Sequence, residues 1–133
     1  LDALTKEKNA NIYSVAMPTI NADRTQMLQL FQNLIANGIK YNRGANPTIH
    51  IGCKQRKGEV EISIADNGPG IPASHREKVF QIFQRLQTNK DIAGTGMGLA
   101  ICRKIVESMN GKIWIEDNVT GGTVFVFTLS TNL

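Results

Sequence analysis

The 133 residues hold only two cysteines. Cys53 and Cys102 lie in apolar-patterned segments, with no Cys-x-x-Cys and no Cys/His spacing. A zinc site and a disulfide framework therefore lack a signature, and buried free thiols in a reducing compartment are the simpler reading. No apolar run approaches the roughly eighteen residues that cross a bilayer, and no signal-peptide pattern opens the chain, so a cytoplasmic setting is expected. The net charge of +4 is scattered, with Lys and Arg interleaved among Asp and Glu. It lacks the basic stripe of a nucleic-acid binder. Internal repeats and low-complexity tracts are missing too. Two common phosphate-binding motifs are also absent: Gly-x-x-x-x-Gly-Lys-Ser/Thr occurs nowhere, and Gly94-x-Gly96-x-Gly98 is not a Gly-x-Gly-x-x-Gly after a strand.

What is present suits one globular domain. Hydrophobic residues make up 41% of the chain and charged ones 20%, which argues against disorder. A chain of this length buries roughly two-thirds of its unfolded surface without disulfides or metal. Residues 1–10 lack an initiating methionine and carry apolar positions three apart, and are expected to be the remnant of a linker or upstream helix. The domain itself is expected over 11–133. Asn11 to Met17 reads as a strand that Pro18 ends. Asn21-Ala22-Asp23 offers a helix cap, after which Met27, Leu28, Phe31, Leu34, Ile35 and Ile39 recur at helical spacing as one buried face. Gln29, Asn33, Asn37, Lys40 and Tyr41 fall on the other face.

Two segments of period two follow, Thr48 to Cys53 and Val60 to Asp66. A basic turn from Lys54 to Gly58 joins them, predicting an antiparallel hairpin with one buried face. A short helix is expected over Ala73 to Phe80, capped by Ser74 or a neighbour. Arg85 to Ala93 is polar and aperiodic, as in a mobile loop. Beyond the glycine cluster, Leu99, Ile101, Cys102, Ile105, Val106 and Met109 predict a helix that Asn110-Gly111 stops. Strands over Lys112 to Glu116 and Thr123 to Leu129 complete the chain. Helices packed on one face of a mixed sheet would bury all these stripes.

Three stretches stand out chemically, each with an ordinary alternative. Asparagine is a poor mid-helix residue, yet Asn33 and Asn37 share about a quarter of the helix circumference with Lys40 and Tyr41. An amide oxygen suits Mg²⁺ and a lysine suits phosphate, although a solvated polar face would look the same. Asp66-Asn67-Gly68-Pro69-Gly70 is either a turn after a strand or a carboxylate that accepts from an exocyclic amine, with glycines admitting a flat ring. Gly94-Thr95-Gly96-Met97-Gly98-Leu99 enters a helix, where unpaired N–H groups and the helix dipole favour an anion, or it is simply a flexible loop.

In order and spacing, Asn33 to Tyr41, Asp66 to Pro72, Val79 to Arg85, Gly94 to Ile101 and Gly122 to Phe125 resemble the motif set of sensor histidine kinase catalytic domains. Phe31 to Ile35 and Phe83 to Gln87 are most similar to the phytochrome-type branch. The resemblance spans nearly the whole chain, from Asn11 to Leu129. It implies an α+β fold, a two-layer α/β sandwich. A mixed, mostly antiparallel sheet of about five strands would carry about three helices on one face and a flexible ATP lid. It also implies ATP and Mg²⁺ as ligands of the site.

By matching position, Asn37 would ligate Mg²⁺, with Asn33 and Lys40 near the phosphates and Tyr41 against the nucleotide. Asp66 would accept the adenine amine, with Gly68 and Gly70 as close-approach glycines and Thr123 helping to hold the base. Arg85 would reach the γ-phosphate. Gly94, Thr95, Gly96, Gly98 and Leu99 would form the lid hinge and phosphate cradle. Phe80 and Phe83 would anchor the lid or belong to plain core.

Gyrase-type relatives place a glutamate one turn before the metal-binding asparagine, and this chain has Asn33 there, which is no base. The domain is therefore expected to hold the γ-phosphate until a nucleophile arrives, with Asn33 and Arg85 positioning it. The partners implied are ATP, a dimerisation and histidine-phosphotransfer domain of the same parent, and a downstream response regulator. The isolated domain is expected to be monomeric and to transfer little phosphate alone, since neither His50 nor His75 has the acceptor's helical setting. Two other readings remain: a gyrase-type hydrolase, and a degenerate docking module.

Overall fold

The computed structural model describes residues 10–15, 22–40, 46–80, 97–119 and 121–130. Residues 1–9 of the expected upstream remnant and the loop from Arg85 to Ala93 lie outside the described residues, whereas Ala10 is described and packs against the core. Strands β1 (Asn11–Ser14), β2 (Thr48–Arg56), β3 (Glu59–Asp66), β4 (Ile113–Asp117) and β5 (Thr123–Ser130) form one sheet in the order β1-β2-β3-β5-β4. Helix α1 (Arg24–Lys40) lies between β1 and β2, and α2 (Met97–Ser108) precedes β4. β1 runs parallel to β2, which a crossover through α1 permits, and every other pairing is antiparallel. The α+β, mixed and mostly antiparallel architecture is the one expected.

Alternation within the strands decides which face the helices cover. Register places Ile51 opposite Ile64, Ile64 opposite Phe125, and Phe125 opposite Ile115, so these side chains share one face. Against it pack Leu30, Leu34, Ile35 and Ile39 of α1, and Cys102, Ile105, Val106 and Met109 of α2. Phe127 meets Phe31 edge-on at 5.8 Å, and Phe125 meets Phe80 likewise at 6.2 Å. Burying each such ring stabilises the fold by roughly 1.5–3 kcal/mol. The opposite face carries Tyr13 stacked on His50, with ring centroids 5.0 Å apart.

Caps follow the expected chemistry. The Asp23 carboxylate accepts the Gln26 N–H at 3.0 Å, so Asp23 caps α1. At the end of α2, the Asn110 N–H bonds the Glu107 carbonyl and the Gly111 N–H bonds the Val106 carbonyl. This is a Schellman pair, with Asn110 at φ 58° as its left-handed residue.

Four expectations change. Leu28 is 52% exposed, and Leu30, fully buried, belongs to the stripe instead. The hairpin turn is only Lys57-Gly58, because β2 continues to Arg56, whose guanidinium pairs with Glu59 and Glu61 across the ladder. The short helix at 73–80 is two separate 3₁₀ turns, Ala73–His75 and Lys78–Phe80, and Pro72 precedes the first without a side-chain cap. β1 ends at Ser14, three residues before Met17.

Candidate functional site

Asp66 is the last residue of β3, in phase with Val60, Ile62 and Ile64. The alternation that buries those side chains also turns its carboxylate inward, where the residue is only 6% exposed. Oδ1 accepts the Gly68 N–H at 2.9 Å and the Thr123 N–H at 3.2 Å. Burial pushes the carboxyl pKa upward, and these two bonds oppose the shift without cancelling it. Oδ2 accepts no hydrogen bond from any described residue. It faces α1 at Gly38, where an added Cβ would lie 3.3 Å from it and 2.7 Å from Ile49 Cδ1. The absence of a side chain at residue 38 is what lets α1 approach this carboxylate so closely.

The second wall is the turn between β4 and β5. Gly122 has φ 108°, and a Cβ there would lie 2.1 Å from the Asp66 carbonyl oxygen. The Asn118 side-chain amide donates to that same carbonyl at 2.9 Å. A Cβ on Gly70, at φ 81°, would lie 3.3 Å from the Gly122 carbonyl oxygen. Thr123 is 4% exposed and joins the wall through its backbone N–H. Asn67 accepts the Thr48 N–H at 2.9 Å, tying the loop to the start of β2.

At the other end of the helical layer, the Asn33 amide donates to the Gly98 carbonyl at 3.5 Å and also contacts the Cys102 thiol. Burial pushes that thiol up to about 12, so it stays protonated at neutral pH. Asn33 is therefore half-buried between the two helices, not part of a solvated face. Leu99 is half-buried beside it in the first turn of α2, where N–H groups lack partners within the helix. Asn37 is half-buried one turn from Asn33, about 6 Å along the axis, and adjoins Gly38. Its side chain makes no hydrogen bond with another described residue.

The segment after Gly70 is pinned at two points. Arg76 donates to the Ile71 carbonyl at 3.0 Å and pairs with Asp117, while Arg103 of α2 grips Glu77 through bonds of 2.6 and 3.0 Å. Arg103 holds the Glu77 carboxyl below the usual range and lies 4.6 Å over the Phe80 ring. Phe80, 4% exposed, is core. His50 stands on a strand and His75 in a 3₁₀ turn.

The structure thus brings together Asp66, Gly68, Gly70 and Thr123, with Asn37 next to Gly38 on α1, Asn33 one turn earlier on α1, and Gly98 and Leu99 meeting Asn33 from α2. Tyr41, Phe83, Arg85, Gly94, Thr95 and Gly96, and the side chain of Lys40, lie outside the described residues. Sequence reasoning missed Gly38 and Asn118. Gly38 carried a signal, a glycine costing about 1 kcal/mol in mid-helix; Asn118 looked like any turn residue.

A model of the histidine kinase-, DNA gyrase B- and HSP90-like ATPases matches residues 22–133. The chain belongs to this family. Its relatives include phytochromes and sensory kinases, and similar solved structures are histidine kinase catalytic domains. Cyanobacterial phytochrome A of a Nostoc species is 48% identical over 123 residues, which is 92% of this chain and 16% of that protein. This chain thus spans about a sixth of that curated relative. The catalytic domain of histidine kinase ThkA, solved nucleotide-free, superposes with a TM-score of 0.81 at 34% identity, covering 98% of this chain and 84% of that one. Full-length ShkA in complex with AMPPNP gives 0.80 at 26% identity over 97% of this chain and 27% of that one. In histidine kinase terms the chain is a catalytic ATPase domain, and among its described residues no helix is long and apolar enough to cross a membrane.

Proposed function

We propose that this domain binds Mg-ATP and presents the γ-phosphate to a histidine on a separate dimerisation domain of its parent kinase, for onward transfer to a response regulator. The observation that carries the reading is the Asp66 carboxylate, with one oxygen held by two backbone N–H groups and the other open toward Gly38. Such an oxygen can accept from an exocyclic amine, and the glycines around Asp66 let backbone segments approach it closely. The AMPPNP complex of ShkA supports a nucleotide in this fold.

Asn37, half-buried on α1 between Asn33 and Gly38 in sequence, offers a hard amide oxygen, which suits Mg²⁺, a cation that takes few protein ligands. Among the described residues no cluster of three or more His, Cys, Asp or Glu competes for that role. Mg²⁺ held there would offset phosphate charge. Asn33 and the first turn of α2 orient the phosphates, and Lys40, Tyr41, Arg85 and the Gly94, Thr95 and Gly96 lid act on the same nucleotide. Asn33 carries an amide, which takes no proton from water, so the site favours holding ATP over hydrolysing it.

The test is titration with a fluorescent ATP analogue, with and without Mg²⁺. Asp66→Asn is expected to weaken binding at least about tenfold, the loss of a charge-assisted hydrogen bond. Asn37→Ala is expected to abolish the gain in affinity that Mg²⁺ brings. Unchanged binding in Asp66→Asn would overturn the adenine assignment, and an unchanged Mg²⁺ response in Asn37→Ala the metal assignment.

A further inference from the structure

The β3–β5 register ends at Ala65 opposite Val124, so the Asp66 carbonyl emerges just beyond the ladder. It points into the β4–β5 turn, where a Cβ on Gly122 would collide with it. There its partner is the Asn118 side-chain amide at 2.9 Å. Asn118 is itself held by the turn, its N–H donating to the Gly122 carbonyl and its carbonyl accepting the Gly121 N–H at 2.8 Å. The same turn reaches the other end of the aspartate, because the Thr123 N–H bonds Oδ1. Next to it, Asp117 pairs with Arg76 and so fastens the segment that follows Gly70.

We infer that Asn118 is a positioning residue for recognition of the purine amine: by holding the Asp66 carbonyl it sets the 66–67 peptide plane, and with it the direction in which Oδ2 points. The inference rests on the reading of Asp66 as the amine acceptor. Rotation of that peptide would carry the Gly68 N–H away from Oδ1, and the carboxylate would lose one of the two bonds that fix it. A half-buried carbonyl without its donor would also seek another partner, which loosens the loop from Asn67 to Gly70. Asn118 touches no reacting atom. Its effect belongs to the amine-dependent part of binding, not to the phosphate end near Asn33 and Gly98.

The experiment compares the affinity of the 133-residue chain for ATP and for purine riboside triphosphate, which lacks the 6-amine. Asn118→Ala is expected to weaken ATP binding by about fivefold, the scale of one lost hydrogen bond, while purine riboside triphosphate binding changes less than about twofold. The preference for the amine therefore shrinks. Asn118→Ser, which keeps a turn-forming residue but lacks the reach to Asp66, is expected to behave the same way should the alanine variant fold poorly. A merely structural role would weaken both nucleotides equally, and that result, or an unchanged preference in the folded variants, overturns the inference. Asp66→Asn is measured in parallel. If it removes the preference while the Asn118 variants retain it, the positioning role alone fails. If Asp66→Asn leaves the preference intact, the amine-acceptor reading fails and takes this inference with it.

Discussion

Replacing Gly38 with alanine separates the fold from the site. In an exposed helix the change would stabilise by about 1 kcal/mol, since alanine is the better helix former. Here the new methyl would stand 2.7 Å from Ile49 Cδ1, 3.1 Å from Asp66 Cβ and 3.3 Å from Asp66 Oδ2. Ile49 is fully buried and its terminal methyl can shift only within a packed core, so crowding costs about 1–3 kcal/mol. The net is a loss of about 0–2 kcal/mol, and the melting temperature is expected to fall by no more than roughly 10 °C. Binding behaves differently. The methyl stands against Oδ2, and on the amine-acceptor reading the loss of a hydrogen bond to that charged oxygen, about 1.5–3 kcal/mol, is expected to weaken adenine nucleotide binding by roughly ten- to a hundredfold. Calorimetric titration with ATP, alongside thermal unfolding followed by circular dichroism, measures both. Gly52→Ala is the control: its Cβ would crowd Ser63 Oγ at 2.8 Å, on the sheet face away from the helices. If Gly38→Ala bound ATP within about twofold of the unmodified chain, the amine would not sit on Oδ2 beside Gly38.

The raised Asp66 pKa has a definite sign. A carboxyl whose folded pKa exceeds its unfolded value favours folding when protonated, so its stabilising contribution is present at low pH and is lost as pH rises through the folded pKa. The melting temperature of the unmodified chain relative to Asp66→Asn is therefore expected to fall as pH rises across that window. Nucleotide affinity runs the opposite way, weakening as pH drops and the acceptor is protonated. A flat difference in melting temperature would contradict the burial argument. Phe127→Ala removes a fully buried ring that packs edge-on against Phe31, and is expected to cost about 3–5 kcal/mol in urea unfolding. A loss below about 1 kcal/mol would mean that the core repacks freely.

Local patterns carried far in this chain because they are set by neighbours in sequence. The alternation of Val60, Ile62 and Ile64 is the strand period, the Asp23 cap needs only the next three residues, and Asn110-Gly111 stops α2 with bonds to its own last turn. Where a turn's outcome depended on a distant partner, the pattern was insufficient. Leu28 and Leu30 both fit a helical stripe, and only the elements packed beneath decide that Leu30 is covered and Leu28 is not. Lys54 to Arg56 looked like a basic turn until cross-strand glutamates drew them into β2. The 73–80 segment had helical composition, but Arg76 is drawn to Asp117 and Glu77 to Arg103, and two short 3₁₀ turns result.

By itself, the sequence determined the kinds of element, the polar residues available for chemistry and the absence of a base at position 33, because side-chain type and period are properties of the chain alone. Tertiary structure decided what those residues face. It set α1 against Asp66 at Gly38, used up one carboxylate oxygen on backbone N–H groups and left the other open. It also drew Asn118 from 52 residues away onto the Asp66 carbonyl. These are contacts between segments distant in sequence, created when helices and sheet close over a shared core, and no local pattern encodes them.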